Sequence, residues 1–163
     1  GKEYKGIKIK YIELKKLTGT ATALWKAKKY LKRGKFLVLY GDDIYSKKEL
    51  TKLISHFSWT FGLAKMIPPT QKYLAVQLDK KDNLSGARYP TNKEKKTGIL
   101  MSTGSFVLNS NIFKYKPVKI SNGEYGLPQT ILKAIKKHPT KGVVMKKWIQ
   151  INKPEDVRKI ESF

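Results

Sequence analysis

Apolar positions recur along the chain with two periods, and the switches between them mark out the elements. Ile7, Ile9 and Tyr11 alternate with charged residues, the pattern of a half-buried strand over 7–13. From Gly19 the spacing becomes helical, runs to about Lys32 and stops at Gly34. Phe36-Leu-Val-Leu-Tyr40 is a continuous apolar run, which predicts a strand buried on both faces as in a parallel sheet. Ser46-Lys-Lys-Glu49 has the form of a capping box and opens a helix through about His56. Further strands are expected near 60–66, over 73–78 with a hairpin turn at 80–83, and over 99–108; 88–96 reads as a polar loop. A helix near 128–137, a strand over 143–151 and a last helix from Pro154 complete an α/β order without internal repeats. Trp25, Trp148, Tyr11, Tyr30 and Tyr40 are expected in or near the core, whereas Trp59 is expected to be exposed. His56 and His138 share no metal-ligand spacing and read as surface or helix-end residues.

Two short stretches carry candidate chemistry. Gly41-Asp42-Asp43 follows the apolar run, and the carboxyl ends of strands are where open α/β sheets bind ligands. Carboxylates there can hold Mg²⁺, which leaves coordination sites for substrate phosphates; the plainer reading is a turn or helix cap. Gly19-Thr20-Ala21 puts small residues at a helix start, where exposed amides suit a phosphate or a planar base. These two stretches, with Gly123-Glu-Tyr-Gly-Leu-Pro-Gln-Thr-Ile131 and Trp148-Ile-Gln-Ile-Asn-Lys-Pro-Glu-Asp156, resemble motifs of the sugar-1-phosphate nucleotidylyltransferases (NDP-sugar pyrophosphorylases), in that family's order and across nearly the whole chain. The resemblance implies a Rossmann-like three-layer nucleotidyltransferase fold (GT-A-like) with a mixed sheet. It also implies transfer of a nucleotidyl group from a nucleoside triphosphate to a sugar 1-phosphate with release of pyrophosphate. By the same resemblance, Gly19, Thr20, Ala21 and Gly41 would face the nucleotide, Glu124, Gly104 and Ser102 the sugar, and Asp42 and Gln150 a Mg²⁺ ion.

The departures from that family shape the expectation as much as the matches. The family's glycine-rich phosphate loop, Gly-Gly-x-Gly-Thr-Arg, has no counterpart, and the chain starts on Gly1 one β-α-β stretch late, so an N-terminally incomplete single domain over 1–163 is expected. The family's Glu-Lys-Pro corresponds to Arg88-Tyr89-Pro90, and its second metal-binding Asp to Gln150, a weaker hard-ion ligand than a carboxylate. Each lost transition-state donor costs about 10²-fold or more in rate. The chain alone is therefore expected to be inactive, a truncated pseudoenzyme unless a complementary N-terminal chain supplies the loop; a noncatalytic nucleotide-sugar-binding or scaffolding relative is the alternative. A missing strand would leave an edge beside 36–40 that seeks such a chain or a homodimer partner.

Composition narrows the remaining classes. The 163 residues, 40% of them hydrophobic, suit one domain with a core. The absence of cysteine excludes disulfides and thiolate metal sites. No apolar run approaches the ~18 residues of a membrane span, so no membrane partner and a cytoplasmic location are expected. A net charge of +23, from 35 basic and 12 acidic residues, draws in polyanions and supports a further reading as a basic RNA- or polyanion-binding protein. Against it, the basic residues are lysines except Arg33, Arg88 and Arg158, and they spread over many faces, as on a solvated surface. The nine tyrosines are scattered, and no nucleic-acid motif is present.

Overall fold

Lys5 and Gly6 both take left-handed φ values, 48° and 78°, as a two-residue primed turn requires, and they join β1 (Glu3–Tyr4) to β2 (Ile7–Lys8) in an antiparallel hairpin. The computed structural model describes residues 1–68 and 73–162, the last two of these without side chains. The strand expected over 7–13 is thus cut to Ile7–Lys8, because no larger sheet lies beneath its apolar face: Ile7 and Tyr11 are exposed. α1 (Thr20–Ala27) continues into a 3₁₀ turn over Lys28–Tyr30, short of Lys32. Then come β3 (Lys35–Leu39), β4 (Asp43–Tyr45), α2 (Lys47–Ile54), β5 (Trp59–Met66), β6 (Ala75–Leu78), β7 (Leu84–Arg88), α3 (Glu94–Thr97) and β8 (Ile99–Asn109). β9 (Val118–Lys119), β10 (Tyr125–Gly126), α4 (Leu127–Ala134), β11 (Thr140–Val144), β12 (Trp148–Gln150) and a 3₁₀ helix over Pro154–Ser162 follow.

A mixed four-stranded sheet in the order β11-β5-β8-β3 forms the middle layer. β11 runs parallel to β5, while β8 runs antiparallel to both β5 and β3. On one face Ala21 and Leu24 of α1 and Leu127, Ile131 and Ala134 of α4 pack on Phe61, Leu63, Phe106 and Leu108. On the other, Leu53 of α2 packs with Val107, Val143 and Met145. This three-layer α/β arrangement is the fold class expected from the sequence.

Several local expectations are corrected. β3 is not buried on both faces in a parallel pair: it is an antiparallel edge strand whose outer edge has no strand partner among the described residues. Phe36 and Val38 reach the core, whereas Leu37 and Leu39 on the opposite face are each 40% exposed. Trp59 is buried, not exposed, because the His138 ring stacks on it with centroids 4.5 Å apart. Tyr11 and Tyr30 lie at the surface, and only Tyr40 of the three packs on the core, against Phe106. Half of the Ser46 capping box forms: Ser46 Oγ accepts from the Glu49 amide at 3.3 Å, but the Glu49 carboxylate turns to Lys52 at 3.1 Å, and α2 ends at Ile54. The 88–96 loop contains the start of α3, tied down by two Arg88–Glu94 hydrogen bonds of 2.8 and 2.7 Å and by Thr91. The strand expected over 143–151 is two strands, since Lys146 and Lys147 carry the chain away from β5 to pair β12 with β4.

Because the sheet is covered on one face and partly open at β3 on the other, neighbouring large-to-small substitutions should differ sharply. Phe61→Ala removes a fully buried ring and should cost about 3–5 kcal/mol of unfolding free energy. Leu37→Ala, at the open edge, should cost under about 1 kcal/mol in the same urea titrations; equal losses would contradict the layer assignment.

Candidate functional site

The site grows out of an irregularity between β5 and β8. Phe61 pairs with Phe106 but Leu63 pairs with Ser102, so the Thr103-Gly104-Ser105 segment faces Gly62 as a bulge. Gly62 is required there, because a Cβ would strike the Thr103 and Ser105 hydroxyls, which bond each other at 2.8 Å. Gly104, with φ +68°, is required too: a Cβ would collide with the Tyr40 ring and lie 2.7 Å from a carboxylate oxygen of Asp43. The empty volume beside Gly104 opens into a cavity of about 610 Å³.

Asp43 forms one wall of that cavity. In β4 it sits opposite Gln150 of β12, so both side chains reach the same cavity from opposite strands. Two residues along β4 on the same face, the Tyr45 hydroxyl donates to Asp43 Oδ2 at 3.1 Å and lies 2.6 Å from the Thr103 carbonyl oxygen. Asp43 Oδ1 is buried and without a well-formed hydrogen bond, and so is the Trp148 indole N–H that faces the same carboxylate. Burial pushes the Asp43 carboxyl up to about 6; the Tyr45 hydroxyl opposes this, the neighbouring Asp42 charge adds to it, and the Trp148 indole N–H opposes it more weakly. Burial likewise pushes the Tyr40 phenol up to about 12.

The remaining walls come from both ends of the chain. Gly19 caps α1 at φ 106°, where a Cβ would strike the Tyr125 backbone, and the Thr20 hydroxyl accepts from the Leu127 amide at 3.0 Å. These contacts hold the start of α1 against β10 and α4. Glu124 lies in a tight turn in which its amide donates to the Asn122 side chain at 3.0 Å and its carbonyl accepts from Ile120 at 2.8 Å. The turn role and a place in the cavity lining therefore coincide at Glu124.

Of the residues singled out by sequence, Thr20, Ser102, Gly104, Glu124 and Gln150 line this one cavity. Gly19 stands just behind it as the helix cap, and Ala21 is fully buried beneath α1. Gly41 and Asp42 are exposed and outside the lining; the Asp42 carbonyl accepts from the Ile151 amide at 2.8 Å. Sequence reasoning put both carboxylates of Gly41-Asp42-Asp43 at a candidate metal site but gave the role to Asp42, expected Tyr40 only as a core residue, and passed over Thr103. The available signal was strand alternation after the turn, which puts Asp43 and Tyr45 on one face.

Among the described residues the lining has two carboxylates, Asp43 and Glu124, and a single cation, Lys119, in a protein of net charge +23. Among the described residues no group of three or more His, Cys, Asp and Glu side chains could form an all-protein metal cage. Mg²⁺ needs no such cage: it is held by one or two carboxylates with water and substrate phosphates. The unpartnered Asp43 oxygen, with the Gln150 amide across the strand pair, fits that mode.

The profile of the nucleotidyl transferase family matches residues 1–163. Among curated relatives, the bifunctional protein GlmU of Methanococcus vannielii is 28% identical over 167 residues, covering 98% of this chain and 39% of that protein. GlmU of Methanocaldococcus jannaschii is 26% identical over 160 residues, covering 96% and 38%. The chain thus spans about two fifths of the length of these relatives. Among solved structures, a UDP-glucose pyrophosphorylase complexed with UDP-glucose superimposes with a TM-score of 0.74 at 16% identity, covering 94% of this chain and 64% of that one. The inositol-1-phosphate CTP transferase from T. maritima gives 0.68 at 18% identity, covering 89% and 62%. At such identities the structures share the fold, and the profile match over the whole chain carries the assignment: the chain belongs to the nucleotidyl transferase family.

Proposed function

We propose that this chain carries the nucleoside- and sugar-facing part of a sugar-1-phosphate nucleotidylyltransferase site. The observation that supports it is the meeting of Thr20, Gly104, Glu124 and Gln150, from four distant segments, with Asp43 in one cavity. In this reading Thr20, at the start of α1, faces the base, and Ser102 and Glu124 accept hydrogen bonds from sugar hydroxyls. Asp43 and Gln150 hold Mg²⁺, with Asp42 adding charge from the adjoining turn. The bound ion would neutralise charge on the phosphate oxygens. A phosphate oxygen of the sugar 1-phosphate attacks the α-phosphorus; the new P–O bond forms as the bond to the bridging oxygen breaks, and pyrophosphate leaves with that electron pair.

Among the described residues Lys119 is the one cation in the lining, so these walls offer little to hold a departing pyrophosphate. Those donors would come from a further segment, a complementary chain or a second copy, added at the open edge of β3, whose carboxyl end leads into the cavity through Tyr40. Without it the chain binds nucleotide or nucleotide sugar and does not turn over. The acidic lining favours this binding-only state as the second reading.

Thermal shifts with UTP, CTP, dTTP, UDP-glucose and dTDP-glucose, with and without Mg²⁺, test the site. One nucleotide class should raise Tm in a Mg²⁺-dependent way that survives high salt, by about 2.7 kcal/mol of linkage at a hundredfold excess over Kd. Asp43→Asn should abolish the Mg²⁺ dependence while Asp42→Asn weakens it less; the reverse ranking would move the ion to Asp42. Equal shifts with every polyanion, lost in high salt, would sink the reading.

The raised Asp43 carboxyl makes a separate prediction about pH. Its value is about 6 in the folded chain against an ordinary 3.8, so the native state holds a proton that the unfolded chain releases. This contribution stabilises fully below 3.8 and is lost as pH rises to about 6, a fall that Asp43→Asn should remove from a plot of Tm against pH. The Mg²⁺-dependent shift should grow over the same window, since the ion binds the ionised carboxylate.

A further inference from the structure

A second cavity, of about 600 Å³, lies at the far end of α1 from the candidate site. Thr20 opens the helix into the first cavity, while Trp25, Lys26 and Lys28 at its other end line the second, about 12 Å further along the axis. The floor is aromatic and apolar. Trp25 meets Phe113 edge to face with centroids 5.2 Å apart, and Leu31 closes one side. The rim is cationic: Lys26, Lys28, Lys29 and Lys32 surround it, and among the described residues none of them is in ion-pair contact with a carboxylate. Lys28 Nζ lies 5.9 Å from the Phe113 ring centroid. One lysine is enough to complement the carbonyl end of a helix; four around an aromatic floor exceed what that end requires.

The cationic surface continues past the rim. Tyr30, 45% exposed, carries the ammonium groups of Lys10 and Lys29 at 4.2 and 5.1 Å from its ring centroid. Between Leu14 and Gly41 the chain has eight basic residues and no acid. The stretch 125–154 is also free of acids and carries seven lysines, but Trp25, Phe113 and Tyr30, the aromatic groups of the groove and its platform, lie outside it. Charge density alone is therefore common to both stretches, and the aromatic groove is what sets the first apart.

We propose that the groove between α1 and Phe113, with the Tyr30 platform beside it, binds single-stranded nucleic acid. One base enters the apolar groove, a second stacks on Tyr30 in place of the Lys10 and Lys29 ammonium groups now over its ring, and Lys28, Lys32 and the displaced Lys29 meet the intervening phosphates. A duplex is disfavoured because its bases are stacked on one another and unavailable to the aromatic faces. This site is separate from the nucleotidyl-transfer cavity, and its failure would leave that reading intact.

Fluorescence anisotropy of labelled RNA and DNA strands of about a dozen nucleotides tests it, a length within the range of single-strand site sizes. Tyr30→Ala should weaken binding about tenfold, the worth of one stacked base. The double reversal Lys28→Glu/Lys32→Glu should weaken it by more than tenfold and make the slope of log K against log salt shallower by about 1.4, two phosphate contacts' share. The reversal Lys136→Glu/Lys137→Glu, equal in charge change and on the other acid-free stretch, should cost under about threefold. Equal losses from the two double reversals would overturn the proposal. So would equal competition by a duplex of the same length or by inorganic tripolyphosphate, since either would mean that net charge does the binding. Preference for RNA over DNA would point to a 2′-hydroxyl contact, and equal affinity to backbone and stacking alone; both outcomes keep the site.

Discussion

The site depends on a backbone that comes too close for side chains. Gly62 in β5 faces the Thr103-Gly104-Ser105 bulge of β8, and neither Gly62 nor Gly104 can carry a Cβ without striking a neighbour. The bulge turns Gly104 to positive φ, and the space where its side chain would stand is bordered by Tyr40 and Asp43. The Tyr40 amide donates to the Gly104 carbonyl at 3.0 Å, and the Tyr45 hydroxyl reaches the Thr103 carbonyl at 2.6 Å. The two ends of the Tyr40–Tyr45 turn are thereby fixed to the bulge, and Asp43 between them is held at the cavity whether or not an ion is present. Local irregularity in one strand pair thus positions a carboxylate that belongs to another.

Charge divides the molecule in a way that net charge conceals. Among the described residues the first cavity carries Asp43, Glu124 and one lysine, while the second is rimmed by four lysines, though the same eight-residue helix borders both. An acidic cavity would repel a bare triphosphate and take one only with a divalent cation, whereas a lysine rim would attract phosphodiesters directly. The helix also links the two mechanically: Thr20 anchors its start to α4 through Leu127, and Trp25 anchors its end on Phe113.

The sequence made the fold legible wherever periodicity records burial against a neighbour that is present. The core strands 59–66 and 99–109 and the helices at 20–27, 47–54 and 127–134 fall where the spacing of apolar residues puts them. The pattern misled where the neighbour is missing. Phe36–Tyr40 reads as doubly buried, yet Leu37 and Leu39 face outward at an edge, and Ile7, Ile9 and Tyr11 alternate over no sheet. Trp59 failed for the opposite reason: His138, nearly eighty residues on, covers it, and no local pattern foretells that stack. In the site, motif spacing located the segments, but it could not say which carboxylate of Gly41-Asp42-Asp43 turns inward. That is decided by the pairing of Asp43 with Gln150, a tertiary contact.

That pairing also explains why a site built on the middle of the chain needs its last quarter. β12 is only three residues long and would not persist as an isolated strand pair with β4. It is held by what flanks it. Ahead of it the Lys147 carbonyl accepts from the Ser46 amide at 3.3 Å, and behind it the Ile151 amide donates to the Asp42 carbonyl at 2.8 Å. Asp156 then fastens the next turn by accepting from the Asn152 and Lys153 amides, both at 3.0 Å. Gln150 is therefore delivered to Asp43 by a latch whose bonds are almost all backbone, so its amide can be replaced without loosening the strand. A carboxylate placed at 150 would add a second charge next to one whose ionisation burial already opposes, and would raise the Asp43 carboxyl further until a cation bound. The neutral amide keeps the cavity's resting charge low, and it would grip a divalent cation less firmly than a carboxylate.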